Sequence, residues 1–297
     1  MHVFLTGATG FIGSRILKEL LDAGHRVTGL TRSQSGADAL KALGAHAYLG
    51  SLEEPESLKE GAARADAVIH TAFDHDFSRF VENCEKDRRV ILALGDALEG
   101  SSKPLIITSG TGIGSAGPGQ LATEDFFSPV NPNPRVASEI TAEELLKAGL
   151  NVSVVRLPQV HDTVKQGFVT LYIDIARKTG VAAYVGDGLN RWPAGHVFDV
   201  ARLYRLAVEK GQAGVRYHAV AEQGVAVRDI ATTVAAGLKL PLKSLTAEEA
   251  KTHFGWMAPF ASMDAIASSQ WTRKELGWQP TGPDLIADLQ RMDYRQR

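Results

Sequence analysis

The 297-residue chain has a single cysteine, Cys84. One thiol excludes an internal disulfide framework and any multi-cysteine metal site. No apolar run approaches the roughly 20 residues that a membrane-spanning helix needs. Neither charge is in excess, since 32 Lys and Arg against 34 Asp and Glu leave a net charge of −2. Affinity for nucleic acid or for an anionic membrane surface needs a basic excess, so neither partner is expected. Internal repeats, low-complexity tracts and a linker between halves are also lacking. The N-terminus, Met1-His2-Val3-Phe4-Leu5, has no basic segment or cleavage site and runs straight into Thr6-Gly7, so it does not read as a signal peptide. A reducing cytoplasm is the expected compartment.

The chain does have alternation. Short apolar runs at 2–6, 26–31, 45–49, 66–70, 104–108 and 152–156 read as strands. Between them, helical spacing appears at 11–23, 36–43, 55–62, 77–98 and 134–148. Strands separated by helices imply parallel pairing and right-handed crossovers, hence an α/β Rossmann fold with a doubly wound parallel sheet. After about residue 157 the pattern loosens, with helices expected near 167–179, 199–210, 226–238, 246–254 and 283–293 and strand-like pieces at 181–185 and 214–219. The expected division is a dinucleotide-binding domain over 1–160 and a smaller mixed α/β substrate-binding region over 161–297, packed on it, with 187–212 returning to the first core. The loop from Gly110 to Asn133 is long and rich in Gly, Ser and Pro, as functional loops often are.

Thr6-Gly7-Ala8-Thr9-Gly10-Phe11-Ile12-Gly13 joins the first strand to the first helix. Gly7 permits a tight turn, Gly10 lets backbone approach a diphosphate, and Gly13 lets the helix pack closely on the sheet. The helix N-terminus then faces the anion with free N–H groups. Thr9, Phe11 and Ile12 complete this candidate cradle. A site for NAD places a carboxylate at the end of the second strand. This chain has Thr31-Arg32-Ser33 there. A guanidinium fork suits a 2′-phosphate and a serine adds a hydroxyl, so NADP(H) is expected over NAD(H). Arg15, early in the first helix, is a second candidate for that phosphate.

These residues resemble the short-chain dehydrogenase/reductase superfamily, especially its extended and atypical members related to sugar-nucleotide epimerases and dehydratases. The Gly7-x-x-Gly10-x-x-Gly13 spacing is that family's. Asp66-Ala67-Val68-Ile69-His70-Thr71-Ala72 resembles its fourth-strand segment beside the cofactor, which implicates Thr71 and Ala72. Leu105-Ile106-Ile107-Thr108-Ser109-Gly110 resembles the fifth strand, whose end carries a catalytic Ser or Thr. Val154-Val155-Arg156-Leu157-Pro158 resembles the sixth, where a proline turn lies near the nicotinamide. His196-Val197-Phe198-Asp199-Val200-Ala201 resembles a C-terminal segment of extended members. The family's reductases use a Tyr-x-x-x-Lys pair on the helix after the fifth strand. Here Arg135 stands at the tyrosine position and Glu139 at the lysine position, and no tyrosine lies between Tyr48 and Tyr172.

A carbonyl under reduction still needs a proton or an electrophilic hydrogen bond for its developing alkoxide. Ser109 and Thr111 are hydroxyl candidates, with capping of the strand or bonding to backbone as the alternative. Arg135 could stabilise an alkoxide, but an ion pair with Glu139 four residues along is the favoured role. His75 and His161 follow the fourth and sixth strands at the carboxyl edge of the sheet, and each could be the acid, oriented by Asp74 or Asp162. His70 reads as structural. The spacing of Asp74, His75, Asp76, His161 and Asp162 matches no metal motif, and no metal site is expected. Arg191 and Trp192 could recognise a planar or anionic substrate, or Trp192 could be core. Phe254, Trp256, Met257 and Phe260 read first as core, and otherwise as a pocket cover or dimer surface.

The leading expectation is an NADP(H)-dependent oxidoreductase acting on a carbonyl or enone of a small organic molecule. A catalytically silent NADP(H)-binding redox sensor and an epimerase- or dehydratase-like enzyme remain as alternatives. A homodimer through the helices at 77–98 and 134–148 is left open, because Arg88-Arg89 and Glu143-Glu144 make that surface ambiguous.

Overall fold

The computed structural model describes residues 1–295. The first half runs β1 (His2–Thr6), α1 (Phe11–Asp22), β2 (Arg26–Thr31), α2 (Gln34–Ala42), β3 (His46–Leu49), α3 (Lys59–Ala63), β4 (Ala67–His70), α4 (Phe80–Asp96), β5 (Leu105–Gly110), the short β6 (Leu121–Ala122), α5 (Val136–Lys147) and β7 (Val152–Leu157). The second runs β8 (Gln159–His161), α6 (Gly167–Thr179), β9 (Ala182–Val185), β10 (Arg191–His196), α7 (Val197–Lys210), β11 (Arg216–His218), β12 (Glu222–Ala226), α8 (Val227–Leu238), β13 (Leu242–Leu245), α9 (Ala247–Phe254), α10 (Ala258–Ser262), β14 (Ile266–Ala267), α11 (Gln270–Leu276) and α12 (Leu285–Arg291).

Seven strands form one parallel sheet in the order β3-β2-β1-β4-β5-β7-β11. The chain leaves β1 toward β2 and β3, then crosses back to build β4, β5, β7 and β11 on the other side. The order therefore reverses between β1 and β4, and such a switch point opens a crevice outside the carboxyl ends of the strands. Helices cover both faces, which is why β1, β4 and β5 are almost continuously buried and read as apolar runs. On one face α1 and α7 pack through Ile16, Leu17, Leu20, Leu203 and Tyr204, with Trp278 closing the layer. On the other, α4 and α5 pack through Val90, Ile91, Leu94 and Leu145. A further core, with Val169, Tyr172, Ile230, Phe254 and Leu285, sits among α6, α8, α9 and α12. Among the described residues no helix is long and apolar enough to cross a membrane.

Several elements differ from their sequence reading. The seventh strand of the main sheet, β11, comes from the loosely patterned second half and pairs with β7. The helix expected over 77–98 begins as a separate 3-10 turn at Phe77–Arg79, because the Asp76 carboxylate accepts the Ser78 amide at 3.0 Å and fixes a tight start. The helix expected at 55–62 is likewise a 3-10 turn, Pro55–Leu58, leading into α3. The Gly110–Asn133 loop is stitched down rather than free: β6 pairs with β14, and the buried Arg156 donates to the carbonyls of Thr123 and Phe126 at 3.1 and 3.0 Å.

Candidate active site

The turn after β1 is shaped by what cannot be added to it. Gly7 has φ +71°, where an L side chain is strained. A Cβ on Gly13 would stand 2.0 Å from the Gly7 carbonyl oxygen, so only glycine lets α1 come this close. Gly10 caps α1 without a side-chain hydrogen bond, and no acidic residue occupies the first turn. The amides of Phe11, Ile12 and Gly13 therefore have no partner within the helix, and the dipole favours an anion there. Thr9 is exposed on the turn, and Phe11 and Ile12 are half-buried beside it. This cradle fits a diphosphate.

At the end of β2, Arg32 is exposed and has no hydrogen-bond or ion-pair partner among the described residues. Ser33 caps α2 by accepting the Gly36 amide at 3.1 Å. Arg15 is engaged elsewhere, 3.4 Å from Asp162 and over the Phe198 ring, which weakens its candidacy as a phosphate ligand.

Behind the cradle lies a buried polar chain. Thr6 Oγ1 accepts the amides of Thr71 and Ala72, each at 3.2 Å, which uses both lone pairs. Its proton therefore goes to His70 Nδ1 at 2.7 Å, and His70 donates from Nε2 to Asp87 at 3.0 Å. The other Asp87 oxygen accepts from Arg135 at 2.6 Å and from Ser138 at 2.7 Å. Burial works to raise the Asp87 pKa, but the Arg135 charge and these bonds outweigh it and hold the carboxyl below its usual range. Arg135 also donates to the Thr108 carbonyl at 2.8 Å, and its guanidinium lies 4.1 Å from the Phe73 ring centroid. The Thr108 hydroxyl donates to the His70 carbonyl at 2.7 Å and accepts from Tyr204 at 2.6 Å. Thr108, expected at the cofactor, thus has its hydroxyl and carbonyl engaged inside the protein.

The expected Arg135–Glu139 pair does not form. Glu139 is fully buried and accepts two bonds from Arg156, both at 2.8 Å, and a third from Arg216 at 2.8 Å. Burial pushes its pKa up, and the Arg156 contact more than reverses that. Arg156 further meets His218 Nε2 at 3.2 Å, and burial together with that guanidinium lowers the His218 pKa to about 3. Ser109 lies beside Glu139. Its buried hydroxyl nevertheless has no well-formed hydrogen bond. Thr111 makes only a 3.5 Å contact to the Leu157 carbonyl.

The two candidate histidines separate. His161 is fully buried, and its partner is Asp288 at 2.7 Å rather than the adjacent Asp162. Asp162 instead accepts the amides of Val164 and Lys165 and pairs with Arg15. His75 reaches the surface. Partial desolvation, then the charges of Arg135 and Lys165, lower its pKa. Asp74, its expected orienter, is 3.1 Å from Lys86. Pro158 is half-buried where β7 passes into β8. Trp192 is core, and Arg191 forms a two-point pair with Asp264 at 3.0 and 2.8 Å. Of the second aromatic cluster, Phe254 and Met257 are core as read, but Trp256 is half-exposed and stacks on Phe77, and Phe260 stacks on Phe168.

Two residues escaped the sequence reading. Asp87 carries no local signal, because it lies mid-helix among other charges. Lys165 follows His161 on the same carboxyl-edge loop and could have been noted by position. Its amino group stands 5.9 Å from the Phe11 ring centroid, at the mouth of the cradle, with no ion-pair partner among the described residues. No group of three or more His, Cys, Asp or Glu among the described residues is placed to hold a metal.

Comparison with known proteins agrees with this fold. Residues 3–221 match the model of the NAD dependent epimerase/dehydratase family. The chain is 46% identical over 290 residues to an uncharacterized protein of Schizosaccharomyces pombe, covering 97% of this chain and 98% of that one. It is 29% identical over 273 residues to the 4-hydroxy-2-methyl-3-oxo-4-farnesyl-3,4-dihydroquinoline-1-oxide ketoreductase of Stigmatella aurantiaca, covering 86% and 80%. Its fold is similar to that of a dTDP-glucose 4,6-dehydratase of Streptomyces venezuelae solved with NAD, at a TM-score of 0.77, 20% identity and coverage of 100% and 97%.

Proposed function

Because the chain belongs to the NAD dependent epimerase/dehydratase family, we propose that it is an NADP(H)-dependent oxidoreductase that reduces a carbonyl or enone of a small organic molecule. The observation that carries this reading is the glycine cradle, with unpartnered Arg32 at the end of the neighbouring strand. Gly7, Thr9, Gly10, Phe11, Ile12 and Gly13 would hold the diphosphate. Arg32 and Ser33 would hold the 2′-phosphate, and Thr71, Ala72 and Pro158 would flank the rest. When bound, the nicotinamide supplies the hydride, and the protein supplies position and charge.

The chain's own part is to stabilise charge on the substrate oxygen. His75 is suited to this, since it reaches the surface and rests neutral with a ring N–H to donate. The weakly bonded Thr111 hydroxyl is a further donor on the β5 side, whereas the Ser109 hydroxyl is sealed beside Glu139. Arg135 is anchored by Asp87 and the Thr108 carbonyl, so it contributes a fixed positive charge and moves no proton. His161, sealed from solvent, serves packing around Asp288.

One observation favours the sensor reading: Arg135 and Glu139, at the positions of the family's relay pair, are both locked into internal ion pairs. Incubation of the purified protein with NADPH and a carbonyl panel separates the two readings. Turnover that falls about a hundredfold in His75→Gln, with NADPH affinity kept, supports the reductase. Tight NADPH binding without turnover supports the sensor. Arg32→Asp is expected to weaken NADPH binding about tenfold or more while sparing NADH, and an unchanged preference would sink the NADP(H) assignment.

A further inference from the structure

Rings from three separate stretches of chain meet beyond the carboxyl edge of β4. Phe73, Phe77 and Phe80 come from the β4 exit and the start of α4, Phe168 from the first turn of α6, and Trp256 and Phe260 from the α9–α10 region. Trp256 and Phe77 lie nearly parallel, with centroids 5.3 Å apart and planes 14° apart. Phe77 also meets Phe168 at 5.4 Å and Phe80 at 5.7 Å, and Phe168 stacks on Phe260 at 4.8 Å. On the inner side Phe73 touches His75 at 5.4 Å and lies under the Arg135 guanidinium. The row therefore leads from the surface to the candidate donor His75.

These rings are not core in the sense that Phe254, Tyr172 and Trp278 are, each of which is almost completely buried. Phe73, Phe77, Phe80, Phe168 and Phe260 are only half-buried, and Trp256 is 51% exposed. A contiguous row of half-buried rings, with a tryptophan half in water, is costly to keep beside a polar edge, and such surfaces mark ligand grooves. The nearby acids do not compete for it. Asp74 turns to Lys86, and Asp76 is held by Ser78. The cations that act on His75 are Arg135, which is paired with Asp87, and Lys165 at the surface.

We propose that the Phe77–Trp256 stack is the wall of the substrate slot, and that the slot accepts a planar, uncharged aryl or otherwise conjugated carbonyl compound. The ligand's ring takes the place of Phe77 against Trp256, and its carbonyl oxygen points toward His75 and Arg135. This assignment rests on the oxidoreductase reading, but its test does not depend on turnover.

Binding of benzylideneacetone, an aryl enone, and of mesityl oxide, its aliphatic counterpart, is measured by calorimetry on protein saturated with NADP+. Benzylideneacetone is expected to bind about tenfold more tightly, a difference that Trp256→Ala abolishes and Trp256→Phe largely restores. Both variants should stay folded, with melting lowered by only a few degrees, since the side chain is half in water. Phe168→Ala provides a second variant with the same expected direction. Binding selectivity without turnover would keep the slot and remove the reductase. Equal affinity for both enones, unchanged in Trp256→Ala, or no measurable binding of either, would overturn the slot, and turnover of any other carbonyl would still keep the reductase.

Discussion

The Gly7–Gly13 turn offers the crevice backbone amides with nothing bound to them, whereas the Arg135–Glu139 stretch at the start of α5 offers side chains whose charges are already taken. The first is open because a side chain at Gly13 would strike the Gly7 carbonyl and because α1 begins without a side-chain cap. The second is closed because Asp87 reaches Arg135 from α4 and Arg156 reaches Glu139 from β7. A diphosphate can therefore settle on the turn without displacing anything. A substrate that needed the charge of Glu139 would first have to break a fully buried ion pair.

The contrast can be broken most sharply at the open end. Gly13→Val forces backbone apart and is expected to cost about 1–3 kcal/mol of stability or more, with NADPH binding lost to calorimetry. A variant that folds and binds as before would show that close approach of α1 is not what holds the cofactor.

At the closed end, Asp87→Asn leaves Arg135 without its carboxylate and should lower the unfolding free energy by about 3–5 kcal/mol in urea titrations. The folded-state pKa of Asp87 lies below its unfolded value near 3.9. Its contribution is thus complete above about pH 4 and is lost as pH falls through the lowered folded value. The difference between wild type and variant should shrink on acidification, and a constant difference would show that the charge is not the cause.

An effect of similar size comes from His218, behind Glu139. Its pKa is about 3 in the folded protein and near 6.5 unfolded. The unfolded chain binds the extra proton between these values. The stabilisation is therefore full above about pH 6.5 and declines toward pH 3, by up to about 1.4 kcal/mol per pH unit. Stability profiles of wild type and His218→Gln should diverge over that window, the variant being flatter, and parallel profiles would remove His218 as a source of acid sensitivity.

How much of this was legible in the sequence depended on the reach of each rule. The parallel sheet and the cradle were legible because alternation, a left-handed turn at Gly7 and close packing at Gly13 are demands made within a few residues. Partner assignment went wrong wherever nearness in sequence stood in for nearness in space. Glu139 is four residues from Arg135, but Asp87, 48 residues away, is the partner at 2.6 Å. Asp162 follows His161, yet it lies just past the end of β8 and turns back to accept the amides of Val164 and Lys165. Asp288, 127 residues on, makes the bond at 2.7 Å. The aromatic residues near 256 divided for a similar reason: α9 buries Phe254 against Tyr172, while the turn that follows puts Trp256 outward against Phe77.

By itself the sequence determined the α/β alternation, the glycine turn that can receive a diphosphate and the guanidinium placed after the second strand, because backbone conformation and strand-end position are local properties. Only the tertiary structure decided which carboxylates neutralise Arg135 and Arg156, which one bonds His161, which candidate histidine reaches solvent and which aromatic rings stay half in water. Ion pairing and burial act through space, and the sheet brings together residues that the chain keeps far apart.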